Sequence, residues 1–229
     1  MLRRRESPET ASFTPDCVRC PRLAGFLHEI RHKHPGYYAR PVPSFGDPDA
    51  RLLVVGLAPG LHGANATGRP FTGDHAGLLL YETLHAFGFS SKPLSQSATD
   101  GLMLDDCRIT NAVRCVPPQN KPDGSEVQAC NDYLRQELEM LPAGSVVLAL
   151  GAIAHGATLR ALGLRGAAFP FGHARRHVLP DGRHLFDSFH CSRYNTQTRR
   201  LTPIMFRDVF AAIRDELGSA GARDNGQSI

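Results

Sequence analysis

The chain has 229 residues, 41% of them hydrophobic and 21% charged, with a formal net charge of +4. This is the composition of a soluble globular chain, long enough for one α/β domain with a sizeable core. No apolar run reaches the roughly 18 residues of a membrane span. The mildly basic balance permits nucleic acid as a partner without requiring it.

Residues 1–14 read as a disordered arm. The basic opening MLRRRESPET has no apolar stretch behind it, so it does not read as a secretory leader. The expected compartment is the cytosol, where cysteines stay reduced. Residues 17–34 read as a helix opening on CVRC. The stretch PGYYARPVPSFGDPDA, residues 35–50, reads as loop from its prolines and glycines. RLLVVGL is a short β-branched apolar run and predicts the first buried strand. It leads into GLAPGLHGANATGRPFTGD, Gly56 to Asp74, with five glycines and two prolines. A chain that leaves a buried strand through such small residues lets something flat or charged come close to its backbone.

Asp74 to Phe87 predicts a helix from the spacing of Leu78, Leu79, Leu80, Leu84 and Phe87, and residues 90–104 are polar and irregular. DCRITNAV predicts the second strand, and RCVPPQNKPDGSE is a proline-rich loop. Ser125 to Leu141 predicts a helix with Ser125 as N-cap. SVVLALG is the third strand and AIAHGATLRAL the helix after it, with Gly163 at its C-cap. A glycine- and histidine-rich stretch precedes RHLFDSFH, the fourth strand. CSRYNTQTRRLT reads as a polar loop, Thr202 to Leu217 as a closing helix, and 218–229 as a disordered tail.

Strands alternating with helices predict one domain over 15–217, an α/β fold with a parallel sheet covered on both faces. In such sheets ligands bind beyond the carboxyl ends of the strands. Four loops meet there: Gly56–Asp74, Asn111–Asn120, Gly151–His155 and His190–Arg199. The first, second and fourth are the most unusual stretches of the chain.

Four of the six cysteines, Cys17, Cys20, Cys115 and Cys130, lie where two helices and a loop could gather them. Four thiolates suit zinc or a [4Fe–4S] cluster, and four buried free thiols are the other reading. Cys107 sits in a strand and reads as core. Four thiolates around a cluster core of about +2 would leave about −2, so any DNA affinity must come from local groups such as Arg193, Arg199 and Arg200.

GLAPGLHGANATGRPFTGD, TNAVRCVPPQNKP and HCSRYNTQTRRLT, in this order with the four cysteines, resemble the uracil-DNA glycosylase superfamily, and most closely its family 5 (UDGb) branch. The resemblance covers most of residues 17–215. It implies a three-layer α/β/α fold with a central four-stranded parallel sheet, and a [4Fe–4S] cluster on Cys17, Cys20, Cys115 and Cys130, with zinc as the alternative on ligand chemistry alone. It implies a nucleotide flipped into a closed pocket. Phe71 would stack on the base or, on the plainer reading, anchor the loop as a core aromatic. Gly56, Ala58, Gly60 and Gly63 would let the backbone approach the base.

Asn111, at the end of the second strand, offers a donor and an acceptor for the O4 and N3–H edge of uracil, or simply caps the strand end. His190, at the end of the fourth, can donate to the departing uracil O2. The family usually has His-Pro-Ser here; this chain has His190-Cys191-Ser192, without the proline that would stiffen the loop. Leu57 and Ala58 cannot polarise water, which turns attention to Asp74. That carboxylate could orient water, stabilise an oxocarbenium-like sugar or cap a helix, and these roles are compatible. His155 is a further candidate. Ser192, Arg193, Tyr194 and Arg199 would contact DNA, with Arg193 or Tyr194 filling the hole left by the flipped base, unless the loop is only a solvated polar one.

Lysine occurs only at Lys33, Lys92 and Lys121, outside the loops that face the base, so a Schiff-base lyase is not expected, with Lys121 the residue nearest a motif. The reading is a monofunctional, monomeric DNA glycosylase that hydrolyses the N-glycosidic bond of uracil, and of other deaminated bases, in base excision repair. The alternatives are a relative that binds uracil-DNA with slow or no turnover, and a non-enzymatic iron–sulfur nucleotide-binding module.

Overall fold

In the computed structural model, residues 12–224 are described. Six strands form one sheet: β1 (Phe45–Gly46), β2 (Leu52–Gly56), β3 (Cys107–Asn111), β4 (Val146–Leu150), β5 (Arg176–Val178) and β6 (His184–Ser188), in the order β1-β3-β2-β4-β6-β5. The expected parallel four are present as β3, β2, β4 and β6, with β2 pairing in parallel to both β3 and β4. The sheet as a whole is mixed, which corrects the purely parallel expectation. β1 joins β3 antiparallel and β5 joins β6 antiparallel. β1 arises inside the stretch read as loop, and β5 inside the glycine- and histidine-rich stretch. Each is very short and only partly buried or exposed, so neither carries the apolar run that marks a buried strand.

Among the described residues seven α-helices accompany the sheet: α1 (Pro21–Lys33), α2 (Ala64–Thr67), α3 (His75–Ala86), α4 (Gly124–Glu139), α5 (Ala152–Ala161), α6 (Arg193–Gln197) and α7 (Pro203–Asp224). Side chains alternate across each central strand, so each face has its own core. On one face Leu52 and Val54 of β2, Ile109 of β3 and Leu148 of β4 pack against Leu80 and Leu84 of α3 and Phe206 and Phe210 of α7. On the other, Leu53 and Val55 with Val147 and Ala149 pack against Leu23 of α1, Leu134 of α4 and Ala157 of α5. This is the three-layer α/β/α arrangement. No helix among the described residues is long and apolar enough to cross a membrane.

Several boundaries move. α1 begins at Pro21, after the CVRC turn, with Cys20 as N-cap: proline suits a first helical position, where no amide is needed. The N-cap of α4 is Asp123, not Ser125; Asp123 and Glu126 form a reciprocal capping box that a serine further in cannot make. CSRYNTQTRRLT contains α6, capped by the Ser192 hydroxyl, which accepts from the Asn195 amide at 3.4 Å. α7 continues through Asp224, so the tail does not begin at 218; residues 225–229 lie outside the described residues. Of the expected arm, residues 1–11 lie outside them too, while Phe13 packs edge-on against Tyr133 with ring centroids 5.4 Å apart.

Candidate functional site

The carboxyl ends of all four parallel strands open into one cavity of about 400 Å³. Leu57 comes from beyond β2, Asn111 from β3, Leu150 from β4 and Gly151 from just beyond it, and His190 from beyond β6. β3 and β4 lie on opposite sides of β2, so the chain switches direction across the sheet here, the usual ligand position in open α/β folds. Phe71 and Asp74 from the first loop, and Ser192 from the last, complete the polar and aromatic lining.

Phe71 is buried and belongs both to the cavity wall and to the core, so the stacking and anchoring readings describe one position. Its φ of 53° is in the left-handed region, which a bulky residue adopts at a cost of about 1–3 kcal/mol. That conformation brings the Phe71 carbonyl against Gly77 of α3, where any Cβ would collide with it. The Phe71 ring stacks on His190, with centroids 5.8 Å apart and planes 26° from parallel.

The glycines of the first loop have a reason that sequence reasoning did not supply: they clear space for this chain's own side chains. A Cβ at Gly56 would strike Asn111 Oδ1 and the edge of Phe71, and a Cβ at Gly63 would come 2.5 Å from Asp74 Oδ2. Ala58 and Gly60 line the cavity itself.

The polar groups are held in an uncommon electrical state. Asn111 Oδ1 and His190 Nδ1 are buried with no hydrogen-bond partner among the described residues. Such atoms cost free energy unless a ligand completes them. Burial holds the His190 imidazole down at about 4, so the ring is neutral at neutral pH, one nitrogen a donor and the other an acceptor. Burial also pushes the Asp74 carboxyl up from its ordinary value, against the pull of the Gly77 and Ala76 amides and His75. Asp74 Oδ1 caps α3 by accepting from the Gly77 amide at 2.9 Å, while Oδ2 lies over Gly60 and Gly63. Cys191, where a proline was expected, is fully buried in the core beside Asp74, and burial followed by that carboxylate pushes its thiol up.

Other candidates fall elsewhere. His155 does not reach the cavity. Its Nδ1 donates to Asp187 at 2.7 Å and its Nε2 to the Phe169 carbonyl at 2.7 Å, and it lines a separate pocket with Phe169 and Phe171. His155, His177 and Asp187 have metal-ligand chemistry and lie close together, but both His155 nitrogens are committed as donors, so it has no lone pair to give. Arg193 lines an outer groove that shares Gly60, Asp74 and Asn120 with the cavity. Tyr194 is exposed on α6, and Arg199 is exposed beyond it. Asn120 also lines the cavity and was missed. Its φ of 56°, after Gln119 in the same region, folds the proline-rich loop inward, and asparagine after a proline pair is the residue type that tolerates such a turn. None of the three lysines lines the cavity, and all are exposed.

Cys17, Cys20, Cys115 and Cys130 converge on a second, small pocket on the α1/α4 face. Cys17 and Cys20 reach it from the turn before α1. The Arg114 amide donates to Cys130 Sγ at 3.3 Å, and Tyr133 Oη to Cys17 Sγ at 3.3 Å. Among the described residues no three of these sulfurs lie within 4.8 Å of one another. Burial and the neighbouring sulfurs push Cys115 up, and burial raises Cys130 to about 11. Buried Arg114 pairs with Glu137 of α4 at 3.1 Å, and Arg108 of β3 holds the same carboxylate at 2.5 Å. The loop from Asn111 to Cys115 is thereby fixed between the cavity and the cysteine pocket.

Comparison with known proteins agrees with this geometry. The family model of the uracil DNA glycosylase superfamily matches residues 43–214. A type-5 uracil-DNA glycosylase of Thermus thermophilus is 51% identical over 198 residues, covering 84% of this chain and 90% of the relative. One from Pyrobaculum aerophilum is 44% identical over 207 residues, covering 89% and 90%. A type-4 uracil-DNA glycosylase of Pyrobaculum aerophilum is 34% identical over 151 residues, covering 66% and 63%.

Proposed function

Because the chain belongs to the uracil DNA glycosylase superfamily, in its type-5 branch, we propose that it hydrolyses the N-glycosidic bond of uracil in DNA, as a repair enzyme. The observation that carries the chemistry is that Phe71, Asn111 and His190, from three separate loops, line one cavity with Asn111 Oδ1 and His190 Nδ1 left unpartnered. Those atoms suit a planar base with a polar edge. The Asn111 amide accepts from uracil N3–H and donates to O4, which disfavours cytosine, whose exocyclic amine is a donor there. Neutral His190 donates to O2, where charge gathers as the bond to the sugar breaks. Phe71 covers the base, a contact of the kind worth about 1–3 kcal/mol. Asp74, desolvated and facing the cavity, orients water or stabilises the cationic sugar while its other oxygen caps α3.

The exposed positions of Lys33, Lys92 and Lys121 support hydrolysis without strand cleavage. Arg193, Tyr194, Arg199 and the Ser192 hydroxyl are the groups we assign to DNA contact. Cys17, Cys20, Cys115 and Cys130 would hold a [4Fe–4S] cluster whose contribution is structural, tying the turn before α1 to α4. Tetrahedral zinc is the alternative on ligand chemistry.

The test is single-turnover base release from duplexes carrying uracil, hypoxanthine or xanthine, read by cleavage of the abasic product. Release of uracil supports the proposal, and release of the purines as well extends it to deaminated bases generally. Tight binding of the uracil duplex without release would replace it with the binding protein of slow turnover.

A further inference from the structure

The His190 imidazole is not steered by a hydrogen bond on Nδ1. Its ring stacks on Phe71, and its direction is otherwise fixed by the backbone that carries it. That backbone is held on both sides by side chains. The Phe189 amide donates to His173 Nδ1 at 3.2 Å, and Asn195 Nδ2 donates to the His190 carbonyl at 2.8 Å. The His173 ring stacks on Phe189, with centroids 5.0 Å apart and planes 13° from parallel, and the Arg200 guanidinium lies 4.6 Å from the same Phe189 ring.

We propose that His173 is a positioning residue for His190, fixing the preceding peptide through an unprotonated ring nitrogen while Asn195 fixes the carbonyl that follows. This rests on the role given to His190 above. A nitrogen that accepts from an amide must carry a lone pair, so the proton sits on Nε2 and the ring is neutral. Adding a proton at Nδ1 would set N–H against N–H, break the bond and free the peptide before His190. His173 is therefore a pH gate on the geometry of the site. Burial pulls the His173 ring below its ordinary value, opposed by the Asp208 carboxylate of α7. Ser188 Oγ is the remaining polar neighbour of Nδ1, and Arg200 is the cation on its stacking partner. The chain thus holds His190 with two amide clamps where a proline ring would have stiffened the loop. Histidine and asparagine do this because each presents its polar atom on a short, stiff side chain.

Three variants separate this role from packing. His173→Phe keeps the ring stack and removes the acceptor. His173→Asn places Oδ1 close to the position of Nδ1 and cannot titrate. His173→Ala removes both. Single-turnover uracil release is measured from acid to neutral pH, alongside duplex affinity. We expect His173→Phe to fall about tenfold or more at neutral pH with affinity unchanged, since small displacements of a reacting group are costly. We expect His173→Asn to restore the neutral-pH rate and to shift the acid limb of the profile relative to the wild type. A wild-type rate in His173→Phe, or an unshifted acid limb in His173→Asn, overturns the proposal. A wild type that releases no uracil would sink the functional reading, not this one. The Phe189 amide resonance then decides: a shift on acidification in the wild type that is absent in His173→Asn supports the clamp, and its absence in both refutes it.

Discussion

Two buried histidines follow neighbouring strands of one sheet and are treated in opposite ways. His155, after β4, gives both ring protons away, to Asp187 and to the Phe169 carbonyl, and the Asp187 bond leads the effects that raise its affinity for a proton. His190, after β6, is part-buried as a residue but has its Nδ1 buried and unpaired, and burial alone drives its proton off down to about 4. The first histidine is complete within the protein. The second is completed only by something that enters. Asn111 Oδ1 shares the second condition, and both line the same cavity beside the desolvated Asp74. Native proteins rarely leave such groups unsatisfied, so where several converge the missing partner is the ligand.

The comparison can be broken most sharply at His155. His155→Ala leaves Asp187 buried without its cation and should lower stability by about 3–5 kcal/mol in chemical denaturation. The folded fraction should still release uracil at close to the wild-type rate per active molecule; a selective loss of rate would mean His155 belongs to the site after all. Asn111→Ala should do the reverse. Removing an unpartnered buried carbonyl costs the fold little, while single-turnover release should fall on the order of 100- to 1000-fold. Wild-type release by that variant would end the base-edge assignment.

Acid sharpens the contrast further. The folded value of His190 lies below its ordinary 6.5. Between those values the unfolded chain takes up a proton that the folded chain refuses, so stability falls as pH falls, by about 3 kcal/mol in total. His155 is raised, so its contribution is fully present at low pH and is lost as pH rises through its folded value. Denaturation midpoints of His190→Asn should therefore decline less with acid than those of the wild type; equal slopes would remove His190 as the cause. The smallest effect is expected at Ser192→Ala. Its bond to the Asn195 amide is long, and losing the cap should cost about 1 kcal/mol or less, seen as weaker binding of an abasic duplex with little change in melting temperature. A large loss of melting temperature would show that α6 supports the fold and not only the site.

The two central strands were legible because a strand buried on both faces is apolar along its length, as LLVVG and VVLAL are, while CRITN and HLFDS mix apolar with polar residues and were read as strands beside them. β1 and β5 were not, because a short edge strand is defined by its neighbour's hydrogen bonds and not by its own side chains. As cavity-lining residues, Asn111 and His190 were legible from their places at or just past strand ends, and Phe71 from the motif around it. Asn120 and the clamp on His190 were not, because they depend on where the chain turns back in space.

The order of elements, the two apolar faces and the residue types available at the sheet's carboxyl end are determined by the sequence itself, since hydrophobic period and turn chemistry act locally. Which polar atoms find partners and which are left bare is decided only by the folded chain. A histidine's proton affinity and a carbonyl's lack of a donor are properties of the neighbours that distant segments bring to it.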